Sequence, residues 1–308
     1  MKATTVASIL SLCLAGYAKA SCGEAYAQCG GINFVGENCC VAGTECVSLS
    51  ETYYQCLPVE NSDEEEVEVS ANVEENEADS NSDVEETEFP RGQGMQFFTQ
   101  CKNPKHWAMT YDDGPTMYAD IMLDLFKKYD IKVTFFVCGN LYYNLEDPEW
   151  ARIIKRMYNE GHLIGNHTYN HLDMSTLTAE EITSEMKKVE NALYNTIGVR
   201  PAFMRLPYGS GASSPVVMDT LAANGYNAAI NWNVDTVDWG NSGDIEYSIK
   251  VITEQLGNPI ITLNHLQFEG ATNERIVDLA TAEIEYLLSK GYTPVRMDEC
   301  LGMAPYQE

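Results

Sequence analysis

From residue 95 onward the chain alternates between two spacings of apolar side chains. Short runs rich in β-branched and aromatic residues at 107–111, 132–137, 161–165, 202–206, 227–232, 259–263 and 292–295 read as strands. Between them apolar residues recur at helical spacing over 118–129 (Ile121, Met122, Leu125, Phe126), 149–158, 178–196, 215–223, 245–256 and 273–289. Thr178 with Glu181 makes a capping box at the start of the third of these. Strand–helix alternation sustained over roughly 200 residues predicts parallel strands joined by crossover helices, an α/β fold.

The preceding residues follow neither spacing. Residues 22–57 are too few for an apolar core of their own and are dense in cysteine, so disulfides must staple them. The spacing is Cys29-x10-Cys40-x5-Cys46-x9-Cys56, with Cys22 and Cys39 in addition. Six cysteines allow about 15 pairings. Residues 59–94 are rich in Glu, Asp, Asn and Ser, with 14 acidic residues and no Lys or Arg from Glu60 to Glu88. That composition predicts a self-repelling, disordered linker. The whole chain carries a formal charge of −27, and the balance outside this run is nearer −13. Such a chain is unsuited to nucleic acid or an anionic membrane. At the N-terminus Lys2, an apolar run at 6–14 and Ala18-Lys19-Ala20 read as a secretory signal, too short to span a bilayer. No later run is long and apolar enough for a membrane helix, and ten cysteines suit an oxidising, extracellular compartment. The expected organisation is a signal peptide at 1–20, a stapled module at 21–58, the linker at 59–95 and a catalytic domain at 96–308.

Candidate chemistry gathers at the ends of the predicted strands. Thr110-Tyr111-Asp112-Asp113-Gly114-Pro115 places two adjacent carboxylates where a strand feeds a turn. Neighbouring side chains on a strand point to opposite faces, but at a strand end both can reach one cavity. Two carboxylates in one cavity call for a metal or a cation. His167-Thr168-Tyr169-Asn170-His171 offers two imidazoles at i and i+4, as on one face of a helical turn, and Asp113 is the third candidate ligand. Two imidazoles and a carboxylate leave positions open for water and substrate, as a catalytic zinc site requires, with cobalt as an alternative ion. The cation is supplied by Arg205-Leu206-Pro207-Tyr208-Gly209. Asp235-Thr236-Val237-Asp238-Trp239 and Leu263-Asn264-His265 follow, again at strand ends. Five polar motifs in this placement are the layout of an active site on the face of an α/β barrel.

With these motifs the stretch from Cys101 to Cys300 resembles the polysaccharide deacetylase family, and within it the fungal chitin deacetylases. The resemblance implies a distorted (β/α) barrel that removes acetyl groups from sugar polymers. It implies Asp112 as general base and Asp113, His167 and His171 as metal ligands. Arg205 would hold the base, and the Tyr208 backbone N–H would serve as oxyanion donor. Asp235 would orient and charge the acid His265, with Trp239 and Leu263 walling the acetyl methyl pocket. The N-terminal segment resembles the fungal-type cellulose-binding module, which implies the pairs Cys29–Cys46 and Cys40–Cys56 and leaves Cys22–Cys39 as an extra bridge. Flat sugar faces of crystalline cellulose or chitin stack on aromatic rings. Here Tyr26, Tyr53 and Tyr54 are the candidates, with Gln55 as a polar partner.

Three further expectations concern residues outside the motifs. Cys101 and Cys300 flank the whole barrel and should pair, leaving Cys138 free and buried. Asn166-His167-Thr168 fits the glycosylation pattern but lies within a metal motif, so it is read as unglycosylated. His106 and His162 read as structural or exposed. The sequence thus points to a secreted, metal-dependent deacetylase acting on chitin or chitooligosaccharides. The alternatives are an esterase acting on acetylated xylan and, in a different class, a carbohydrate-binding protein without activity.

Overall fold

A computed structural model of the chain describes residues 22, 28–30, 38–48, 54–59 and 95–307. The expected signal peptide, nearly all of the acidic linker, and Tyr26 and Tyr53 lie outside the described residues. So does the side chain of Gln55.

The N-terminal module is a three-stranded antiparallel sheet of β1 (Gln28–Gly30), β2 (Thr44–Ser48) and β3 (Tyr54–Pro58), in the order β1-β3-β2. Disulfides Cys22–Cys39, Cys29–Cys46 and Cys40–Cys56 form in the expected pairing. Cys29 and Cys56 are fully buried within it. Tyr54 lies half-buried across Gly30, where an added Cβ would come within 2.8 Å of its ring. Only glycine admits that approach.

The larger domain begins with β4 (Gln96–Phe98), β5 (His106–Gly114), α1 (Ala119–Tyr129), β6 (Thr134–Val137), α2 (Pro148–Asn159), β7 (Leu163–Asn166) and α3 (Ala179–Ile197). It continues with β8 (Phe203–Met204), α4 (Pro215–Ala223), β9 (Ala228–Ile230), β10 (Val234–Asp235), α5 (Asp238–Asn241) and α6 (Ile245–Glu254). β11 (Ile260–His265), α7 (Asn273–Ser289), β12 (Thr293–Pro294) and α8 (Met297–Leu301) complete it. The strands run in the order β10-β11-β5-β6-β7-β8-β9-β4, with β12 added on β5, and every pairing is parallel. The end strands β10 and β4 are not hydrogen-bonded to each other, so the sheet curls into an incomplete barrel. The capping box of Thr178 and Glu181 is formed at the start of α3. Two strands, β4 and β10, and the short helices α5 and α8 were not foreseen, being too short or too polar to show a period. Among the described residues, no helix is long and apolar enough to cross a membrane.

Strand alternation divides the core. Trp107, Met109 and Tyr111 of β5, with Phe135 and Val137 of β6, pack against α1, α2 and α7 in one apolar cluster. The intervening Ala108 and Phe136 join Phe203, Ile230, Trp232 and Leu263 in a second, on the concave side. By the same alternation Thr110 and Asp112 point inward. Disulfide Cys101–Cys300 ties the approach to β5 onto α8, as expected from their flanking positions. Cys138 is free and buried.

Candidate active site

The C-terminal ends of the strands surround a cavity of about 220 Å³. Asp112, Asp113, His167, His171, Tyr208, Asp235, Trp239, Leu263 and His265 all line it. Leu206 and Trp232 complete the apolar wall. Arg205 lies beneath it, fully buried.

Strict alternation would turn Asp113 away from Asp112. The pairing of β5 with β6 slips between Tyr111 and Gly114, and Asp113 takes a left-handed φ of 68°. That bulge turns both carboxylates toward one cavity. Their surroundings then separate them. Asp112 Oδ1 accepts from Arg205 Nη1 at 2.8 Å. The same guanidinium donates to Thr110 Oγ1, Ile230 O and Asn231 O, and lies over the rings of Phe136 and Trp232. Burial draws the Arg205 pKa down, opposed by the Asp112 carboxylate. Asp113 instead faces the histidines, its Oδ1 being 3.5 Å from His167 Nε2 and 3.4 Å from His171 Nε2.

The histidine motif is not a helical turn, contrary to its i, i+4 spacing. Residues 167–171 form an irregular loop in which Thr168 (φ 68°) and His171 (φ 54°) are left-handed. Side-chain turns close it: Asn166 Oδ1 accepts from Thr168 N–H and Thr168 Oγ1 from His171 N–H. Asn166 is buried, with its amide donating to Met186 O and Tyr226 Oη, so the glycosylation pattern is structurally occupied. His167 Nδ1 lies 2.8 Å from Arg205 O. A carbonyl only accepts, so Nδ1 carries the proton and Nε2 presents its lone pair to Asp113. Burial, then the neighbouring His167, pull the His171 pKa down to about 4.

Three ligands at ~2.1 Å from a tetrahedral ion stand about 3.4 Å apart. The Asp113–His167 and Asp113–His171 separations match that spacing, and a carboxylate with two imidazole nitrogens is a zinc-type donor set. Cys138 Sγ lies 3.9 Å from Asp113 Oδ1 and donates to His167 O. Burial, with the Asp113 and Asp112 charges, pushes this thiol well above its ordinary pKa.

The opposite wall carries His265. Its partner is Asp238 and not the expected Asp235. Asp238, fully buried, accepts from His265 N–H at 2.6 Å and lies 2.7 Å from His265 Nδ1. Asp235 spends its Oδ1 on the N–H of Val237. The left-handed Val237 (φ 52°) reverses the chain after β10, which sets the first residue of α5 beside β11. Burial works against a charge on His265. It is outweighed by Asp238, with Asp113 and Asp112, so the pKa rises to about 10. Burial pushes Asp235 up to about 6. Behind β11, buried Glu283 of α7 accepts from Ser248 Oγ at 2.6 Å and Asn264 Nδ2 at 3.0 Å. His162 is structural, its Nδ1 accepting from Val133 N–H. His106 is partly buried at the start of β5.

Residues 99–229 match the polysaccharide deacetylase family and residues 25–53 the fungal cellulose binding domain. The chain is 36% identical over 213 residues to a chitin deacetylase of Colletotrichum lindemuthianum, covering 67% of this chain and 83% of that one. A chitin deacetylase of Pestalotiopsis sp. is 35% identical over 207 residues, 67% of each chain. The solved structure of the Colletotrichum lindemuthianum chitin deacetylase superimposes with a TM-score of 0.61 at 35% identity, covering 69% of this chain and 95% of that one. With its five strand-end motifs gathered around one cavity, the chain belongs to the polysaccharide deacetylase family.

Proposed function

We propose that this protein is a secreted, divalent-metal-dependent deacetylase that hydrolyses the N-acetyl groups of chitin or chitooligosaccharides. Its N-terminal module would target it to insoluble cellulose or chitin. The observation that carries the activity is one cavity lined both by Asp112, held on Arg205, and by His265, held on Asp238, a base and an acid on neighbouring strands beside Asp113. The relatives named as chitin deacetylases support the amide substrate.

Asp113, His167 and His171 would hold the ion, zinc or cobalt. When bound there, it would supply Lewis-acid polarisation of the acetyl carbonyl and acidify a water molecule. Asp112 keeps one oxygen on Arg205, while Oδ2 faces the cavity 3.6 Å from His167 Nε2. From there it takes the proton of the attacking water as the oxygen adds to the acetyl carbon. The Tyr208 N–H donates to the oxygen that gains charge. As the carbon–nitrogen bond breaks, His265 gives a proton to the leaving nitrogen, and acetate and a free amine result. Asp238 keeps that imidazole charged beforehand. Trp239 and Leu263, with Leu206 and Trp232, enclose the methyl group and exclude bulk water.

The cellulose binding domain favours a second reading, an esterase acting on acetylated plant xylan. Acetate release from chitin oligomers and acetylated xylan, measured side by side, separates the two. Chelation should abolish release, and zinc or cobalt should restore it. Full turnover by chelator-stripped protein, or no release from either substrate, overturns the proposal. Cleavage in the linker should leave an active catalytic domain that no longer binds insoluble polysaccharide.

A further inference from the structure

The loop from His167 to His171 has no regular hydrogen bonding to hold it, and two of its residues sit in a left-handed conformation. Such residues are strained and persist only where their surroundings fix them. On one side the β6 loop serves, with Gly139 N–H and Asn140 N–H donating to Thr168 O and Tyr169 O. An added Cβ at Gly139 would meet the Tyr169 ring at 2.1 Å, so that contact is close as well.

On the other side the contact comes from α3. Glu185 is 5% exposed, and both its oxygens are committed to one loop residue. Oε2 accepts from Asn170 N–H and Oε1 from Asn170 Nδ2, each at 2.6 Å. This fork holds Asn170, the residue before His171, by the N–H of its peptide with Tyr169 and by its side-chain amide. It touches neither the cavity nor any group that reacts.

We propose that Glu185 is a positioning residue that sets the affinity of the Asp113–His167–His171 site for its metal by clamping Asn170. The inference rests on the metal reading given above. Glutamine in place of Glu185 keeps the shape but turns an NH₂ toward one of two N–H donors, so one arm of the fork is lost. Outer partners of metal ligands typically govern about 10–100-fold in affinity.

The test is zinc affinity of the full chain, measured by competition with a chromophoric chelator. Glu185→Gln should bind zinc about 10–100-fold more weakly than wild type, and activity should return with excess zinc. Asn170→Ala removes only the side-chain arm and should weaken zinc less; it also serves if the first variant does not fold. Combined, the two substitutions should be less than additive, because both act on one fork. Glu181→Gln, on the same helix but at its exposed cap, should leave zinc affinity unchanged. The proposal is overturned if Glu185→Gln and Asn170→Ala bind zinc like wild type, or if Glu181→Gln weakens it equally. Wild-type protein that takes up no zinc would instead remove the metal reading, and this inference with it.

Discussion

The two walls of the cavity hold the same side chain by opposite means. On one wall His167 gives its Nδ1 proton to a neutral carbonyl, Arg205 O. On the other His265 sets Nδ1 against a buried carboxylate, Asp238. A neutral acceptor fixes a tautomer and leaves the imidazole a ligand, whereas a carboxylate favours the charged form and leaves it an acid. The aspartates divide likewise, Asp112 against a guanidinium and Asp113 against two imidazoles. Partner, not residue type, assigns the role.

The strongest way to break this comparison is to remove the ligand wall. Asp113→Ala should lose bound zinc and more activity than the ~10²–10⁴-fold carried by a single proton-transfer group. Metal content by atomic spectroscopy checks this, and metal-replete but inactive protein would reverse the assignment of the two aspartates. Next comes the base. Asp112→Asn should keep its metal and lose about 10²–10⁴-fold in rate.

The acid wall sharpens the comparison through pH. In the proposed mechanism His265 acts protonated, so activity should fall as pH rises through its pKa, held at about 10 largely by Asp238 against the effect of burial. Asp238→Asn removes that support, so the alkaline limb of the rate profile should move to lower pH. Asp235→Asn should leave the limb in place. A limb that moves with Asp235 and not with Asp238 would restore the assignment read from sequence.

The smallest effect is on stability. Glu283 backs the acid wall without a cation, and burial raises its pKa from 4.5 to about 8. The folded state therefore holds a proton that the unfolded chain releases above about pH 4.5. Its contribution is fully present below that pH and declines as pH rises toward 8, by at most ~1.4 kcal/mol per unit. Glu283→Gln should flatten this slope in denaturation midpoints taken from pH 5 to 9. An unchanged slope would place the pH dependence elsewhere.

Much of the site was legible because its residues are local in sequence. The alternation of periods located the strand ends that carry four of the five polar motifs; the fifth begins at Asp235 on β10, which no period revealed. What the sequence misplaced depends on backbone turns that no period encodes. The spacing of His167 and His171 suggested a helix, yet Thr168 and His171 bring the rings together through left-handed φ values. Asp235 and Asp238 stand in one motif, and only the left-handed Val237 decides which of them meets β11. Glu185 falls within the helix predicted at 178–196 and nothing in the sequence marks it, because its partner Asn170 lies 15 residues away and belongs to a loop. The disulfides of the small module agreed with the family pairing, and periodicity contributed nothing there.

The left-handed residues around the cavity also bear on how such a site is lost. Glycine adopts a positive φ freely, so Thr168→Gly would relieve backbone strain of on the order of 1–3 kcal/mol. It would also delete the hydroxyl that receives the His171 N–H. Relief of the strain and retention of the turn that places His171 are therefore alternatives at Thr168, and glycine supplies only the first.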